Sequence, residues 1–265
     1  MSKEVLRWPF PSEPYPGLWK LGSNLVLPIV GACSKIWLCY LNNTKFHNVD
    51  VIRKAVSHRA KGHSLITVSN HTSCMDDPLL AGMLSWRQIF TPSLYRWTLA
   101  AHEICFSRDS HSKFFGLGRS IPIIRGNGVF QKGLTYSIKK LNQGEWVHVF
   151  PEGKIIFDPK SWIRLRWGVG RMIYESEKTP VVVPIIHVGM DKVLPSEKKP
   201  FIPRIGNRVA VVVGNPIDVS EAKKNSKNMD PTEARIYLTS VVQEQFDLLK
   251  ADVYNNFFDE FQVKS

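Results

Sequence analysis

A histidine and an aspartate five positions apart, His71 and Asp76, stand in the stretch LITVSNHTSCMDDPLL of this 265-residue chain. The segment LITVS at 65–69 reads as a strand buried on both faces. Asp77-Pro78 reads as a helix start, with Asp77 as cap and Pro78 at the first helical position. His71 then stands at the carboxyl end of a strand, where open α/β sheets bind their ligands. Positions five apart on a regular helix point about 140° from each other, so the pair meets only through a turn. Such a turn would let the carboxylate fix the ring's tautomer and raise its basicity, which makes His71 a general base. The plain alternative is a loop histidine beside a helix-capping aspartate.

Other chemistries fit these residues less well. The chain has no G-x-S-x-G nucleophile elbow. Cys74 is three residues from His71, but nothing close in sequence completes a Cys–His nucleophile. His71 with Cys74 and His102 with Cys105 could be read as four zinc ligands. No C-x-x-C accompanies them, and the first pair competes with the His–Asp geometry. No metal and no cofactor is therefore expected.

Two further loops could hold an anion. HSKFFGLGRSIPIIRGNG, 111–128, is Gly-rich and basic: Gly118 would let backbone N–H groups approach an oxyanion, and Arg119 and Arg125 offer forks that match phosphate. It is equally readable as an ordinary turn with solvated charges. WVHVFPEGK, 146–154, is a buried strand ending in Phe-Pro-Glu-Gly-Lys. There Glu152 could orient a substrate hydroxyl, and Gly153 with Lys154 could receive phosphate oxygens. A basic aromatic stretch, WIRLRWGVGRMIY at 162–174, carries Arg164, Arg166 and Arg171. It could grip nucleic acid or anionic lipid; no nucleic-acid module signature is present, and lipid is favoured.

The elements that must position these loops follow from the hydropathy pattern. Apolar runs at 65–69, 146–150, 181–186 and 209–213 alternate with helical patterns near 78–86, 128–142 and 168–178. This is the signature of an α/β fold, a single domain whose central sheet is mostly buried between flanking helices. Residues 221–230 read as a polar break. Asp230-Pro231-Thr232-Glu233 then opens a C-terminal amphipathic helix, expected over 231–262, with Leu238, Val242, Phe246, Leu249, Val253 and Phe257 on one face. Docking on the core is its expected use.

Charge and the N-terminus point to the partner. With 35 Lys+Arg against 23 Asp+Glu the net charge is +12, which suits nucleic acid, phosphorylated metabolites or an acidic membrane. Hydrophobic residues at 43% exclude a disordered chain, and four irregularly spaced Cys exclude a disulfide scaffold. Lys20 and Lys35 bracket fourteen uncharged residues with Pro28 in the middle and aromatics on both flanks. That run is short for a spanning helix, and Pro28 would bend it. Residues 1–45 are therefore expected as an interfacial or re-entrant membrane segment, and 46–265 as the catalytic domain. A buried N-terminal helix is the bland alternative.

The four loops, in order, resemble the motifs of the glycerolipid acyltransferase superfamily: His71 to Asp76, Gly118 to Arg125, Phe150 to Gly153, and the apolar run with Pro at Val183-Pro184-Ile185. The stretches WPFP, RWTLAAHEICF, FFGLGRSIPIIRG, RWGVGR and HVGMDKVLP are similar to its cardiolipin-remodelling branch. Many members carry Thr-Arg after FPEG, where this chain has Lys154-Ile155, so Lys154 or an Arg from 164–171 would take the phosphate role. The resemblance implies a CoA-independent transacylase on mitochondrial membranes facing the intermembrane space. It would have phosphatidylcholine as donor, monolysocardiolipin as acceptor and cardiolipin as product. His71 would take the acceptor hydroxyl's proton, with Asp76 holding its ring and Glu152 and Arg125 placing the head-group. An acyl-CoA-dependent lysophospholipid acyltransferase and a non-catalytic membrane-binding module are the rivals. An anionic phospholipid membrane is the expected partner, and nucleic acid is not.

Overall fold

A computed structural model of the chain describes residues 6–60, 62–158, 161–195 and 202–256. Seven strands form one sheet: β1 (Asn43–His47), β2 (Leu65–Ser69), β3 (Trp97–Ala101), β4 (Ser120–Ile123), β5 (Trp146–Val149), β6 (Val181–Val188) and β7 (Arg208–Val213). Their spatial order is β1-β7-β6-β2-β5-β3-β4, parallel throughout except for the antiparallel pairing of β6 with β7. The central strands β2 and β5 are buried along their whole length, as continuous β-branched runs require.

The helices are α1 (Gly17–Ile36), α2 (Val49–His58), α3 (Asp76–Leu80), α4 (Trp86–Ile89), α5 (His102–Cys105), α6 (Asp109–Leu117), α7 (Lys132–Asn142), α8 (Gly168–Glu175), α9 (Met190–Val193), α10 (Ser220–Ser226) and α11 (Pro231–Asn256). One face of the sheet, with Ile66, Val68, Val147 and Val149, packs against α7, α8 and α11. The other, with Leu65, Val183, Val209 and Val211, packs against the end of α1, α2, α3 and α9. Neighbouring residues of β2 thus feed opposite cores, the period of two that a strand imposes.

Several expectations are corrected. The runs at 43–47, 97–101 and 120–123 are strands that the hydropathy pattern did not announce. Two of them, β1 and β4, are edge strands, where a polar sequence such as NTKFH or a proline such as Pro122 is tolerated. The helix expected over 78–86 is three short pieces between 76 and 89, and at Gly82 the chain runs close to α1: a Cβ there would sit 3.3 Å from the Ser34 carbonyl oxygen. Most of α10 falls in the expected polar break at 221–230; Lys223 buries its stem and donates to the Ser176 carbonyl. Helix α11 starts as expected, with Asp230 Oδ1 accepting from Thr232 N at 2.7 Å, and Phe257 lies outside the described residues.

The N-terminal segment differs most. Helix α1 runs through Pro28 and continues as a π-helical turn, Trp37–Leu41. Gly17–Leu41 is long and apolar enough to cross a membrane by length and composition, rather than short. It packs on α3, α4 and α6 with an inverted pattern. Small residues Ser23, Gly31 and Ser34 join Leu27 and Leu38 on the buried face, whereas Leu18, Leu21, Leu25, Ile29 and Tyr40 are exposed. The strand β1 begins at residue 43, inside the segment assigned to the membrane.

Candidate active site

The carboxyl end of β2 is where the chemistry gathers. Asn70 extends the β2–β6 ladder with its side chain: Nδ2 donates to the His187 carbonyl at 2.9 Å and Oδ1 accepts from His187 N at 2.9 Å. The chain then turns at His71, and both of its backbone groups are held. His71 N donates to Glu152 Oε2 at 2.9 Å, and the His71 carbonyl accepts from Ile156 N at 2.7 Å. Phe150 stacks on the imidazole with ring centroids 4.2 Å apart.

Asp76 folds back through the predicted turn. Its Oδ2 accepts from Thr72 N at 2.7 Å, Ser73 N at 2.8 Å and His71 Nδ1 at 2.9 Å. The carboxylate is fully buried, while the His71 side chain keeps 15% of its surface. A carboxylate only accepts, so the Nδ1 proton belongs to the ring and Nε2 carries the lone pair. That is the tautomer a general base needs. The buried His187 approaches the same oxygen at 3.5 Å and donates from Nε2 to the Asn70 carbonyl at 2.9 Å.

Asp77 is not the helix cap, since the helix begins at Asp76. Burial opposes its ionisation, but Arg96 overcomes this and holds the carboxyl below its ordinary value. Arg96 Nε lies 2.9 Å from Asp77 Oδ1, and Thr98 donates to the same oxygen at 2.9 Å, which ties α3 to β3. Behind the site, His148 meets Thr67 Oγ1 at 2.7 Å; burial, with Arg96 adding to it, pushes its pKa down to about 3.

The anion-binding candidates divide by edge. Arg125 follows β4 and Glu152, Gly153 and Lys154 follow β5, so all lie at the same sheet edge as His71. Arg125 is partly exposed, with Nε 3.4 Å from Glu103 Oε1, and Lys154 is exposed. Gly118 and Arg119 precede β4 and lie at the opposite edge. There Arg119 donates to the Tyr95 carbonyl at 2.8 Å and sits over the Trp97 ring, so its fork is spent on the scaffold. Arg171 is likewise internal, paired with Glu175 at 2.8 Å.

Glu152 is a correction of role. It is 1% exposed, with one oxygen on His71 N and the other 3.6 Å from Lys250 Nζ, so it braces the histidine rather than reaching for a head-group. Burial raises its pKa, against the lowering effect of His71 and Lys250. Gly153 takes φ +75°, and a Cβ there would sit 3.1 Å from Arg166 Cγ, which brings an exposed arginine beside the loop. Sequence reasoning missed the roles of Asn70, His187 and Lys250. The polar His187 at the end of an apolar run was a readable signal; Lys250, on a helix rich in charge, had none. Among the described residues no group of three or more His, Cys, Asp or Glu is set to hold a metal.

The family model described as Acyltransferase matches residues 43–188. The chain is 41% identical to Tafazzin of Drosophila melanogaster over 92% of its length, and spans 65% of that protein. It is 35% identical to N-acylphosphatidylethanolamine synthase of Arabidopsis thaliana, over 86% of this chain and 83% of that one. It is 37% identical to Taffazin of Dictyostelium discoideum, over 91% and 85%. In fold it is similar to the 1-acyl-sn-glycerophosphate acyltransferase PlsC of Thermotoga maritima, with a TM-score of 0.55, 21% identity, and coverage of 86% and 80% of the two chains.

Proposed function

Because the chain belongs to the acyltransferase family and, within it, to the tafazzins, we propose that it moves a fatty acyl group from phosphatidylcholine to monolysocardiolipin without acyl-CoA. The observation that carries the chemistry is His71 Nδ1 at 2.9 Å from the fully buried Asp76 carboxylate, which leaves Nε2 as the acceptor. Nε2 takes the proton of the acceptor hydroxyl as its oxygen attacks the donor's ester carbonyl. The tetrahedral oxyanion collapses, the bond to the donor glycerol oxygen breaks, and the imidazolium returns the proton to that oxygen. The products are an acylated acceptor and a lysophospholipid, with no acyl-enzyme.

Arg125, Lys154 and Arg166 are the cations at the same edge that would receive lipid phosphates. The exposed apolar face of α1 would lie in a leaflet, which places the enzyme on its substrate. Mitochondrial membranes facing the intermembrane space, with cardiolipin as product, are the setting this reading implies. The Arabidopsis relative favours one second reading, transfer to the amine of phosphatidylethanolamine.

Purified protein offered phosphatidylcholine with either monolysocardiolipin or phosphatidylethanolamine, with and without CoA, separates these. CoA-free formation of cardiolipin and lysophosphatidylcholine is expected. N-acylated product alone would favour the second reading, and turnover only with acyl-CoA would refute the transacylase. His71→Ala is expected to abolish exchange while vesicle binding persists; full activity in that folded variant would sink the assignment of the base.

A further inference from the structure

The segment matched by the family model ends at residue 188, yet one side chain from far beyond it reaches the His71 support. Lys250, on α11, is 3% exposed. Its Nζ lies 3.6 Å from Glu152 Oε1 and donates to the Ser161 carbonyl at 2.8 Å, close to the rings of Trp162 and Tyr254. Glu152 in turn holds His71 N at 2.9 Å through its other oxygen. A buried carboxylate accepts an N–H most strongly when ionised, and ionisation in such a place needs a cation.

We propose that Lys250 is a positioning residue for acyl transfer: its ammonium keeps Glu152 a carboxylate, Glu152 fixes the backbone of His71, and α11 thereby completes the active site. The proposal rests on His71 as the base. Buried ion pairs add little net stability against apolar replacements, so a buried lysine in this position is better explained by what it holds. The charged and titratable groups around Glu152 are His71 and His187 from the ends of β2 and β6, and Lys250 from α11. Tyr254 also faces it from α11, with Asp158 and Asp191 next to Tyr254, and Asp247 faces Lys250.

The test uses the full chain in the acyl-exchange assay. Lys250→Gln removes the charge but keeps a donor for the Ser161 carbonyl, and Lys250→Arg keeps the charge. Lys250→Gln is expected to lower kcat by about tenfold, the scale on which loss of a supporting partner acts, with KM little changed. Its acid limb should move to higher pH, because Glu152 now protonates more readily, whereas Lys250→Arg retains most activity and the original profile. In a Glu152→Gln background the same change should cost nothing more, since a neutral residue 152 needs no counter-charge. An equal loss at every pH, unrescued by arginine, would overturn the proposal, as would wild-type kinetics in folded Lys250→Gln. If Lys250→Gln does not fold, the Lys250→Arg profile decides: a shifted acid limb overturns the proposal and an unshifted one supports it. His71→Ala is assayed in parallel; full activity in that folded variant refutes the base, which is a separate failure.

Discussion

Asp76 does two things with one oxygen. By accepting from Thr72 N and Ser73 N it closes the loop, and by accepting from His71 Nδ1 it selects the ring's tautomer. Asp76→Asn separates the two. The amide can still accept from the loop, but a carboxamide cannot favour an imidazolium as a carboxylate does. Activity is expected to fall by about 10²–10⁴-fold, the contribution of a positioned general base. Far-ultraviolet circular dichroism and the melting temperature should show whether the fold persists; wild-type turnover in Asp76→Asn would refute the role. The His71–Asp76 pair was legible because an apolar strand before it and Asp77-Pro78 after it bracket a turn of the right length. Lys250 was not legible, because nothing local distinguishes a lysine that reaches inward from one that reaches for water.

Helix α1 shows how an element can invert the usual rule. Its buried stripe is small apart from Leu27, with Ser23, Gly31 and Ser34, so it packs closely, while Leu21, Leu25 and Ile29 face outward. A contiguous row of exposed leucines and isoleucine marks a surface suited to meet a membrane or another protein. Leu21→Glu with Leu25→Glu should reduce sedimentation with anionic vesicles by about tenfold or more and leave the melting temperature little changed, since neither side chain is buried. Unchanged vesicle binding would remove α1 from the membrane account. The alternation of strands and helices was readable for β2, β5, β6 and β7, whose β-branched runs are buried. The edge strands β1 and β4 escaped because their sequences carry polar residues and a proline. That omission explains Gly118 and Arg119: without β4 between them and Arg125, one basic loop seemed continuous where a strand divides it across the sheet.

The whole molecule carries +12, and the buried groups decide how it answers acid. His148 titrates near 6.5 when unfolded and is pushed down to about 3 by burial. Its contribution is therefore complete above pH 6.5 and declines as pH falls toward 3, by about 2 kcal/mol between pH 6.5 and 5. Chemical unfolding at both pH values should show that loss in the native chain, and His148→Gln should flatten it; an unchanged slope would refute the assignment. A last consequence follows from the division between Asp76, Glu152 and Lys250, locked inside behind a His71 that keeps a small opening, and Arg125, Lys154 and Arg166, which solvent reaches. The proton-handling parts are hard to alter without unfolding something, whereas the groups that would meet the lipid are free to drift. Such a scaffold can change clientele by surface mutation alone, leaving its reaction intact.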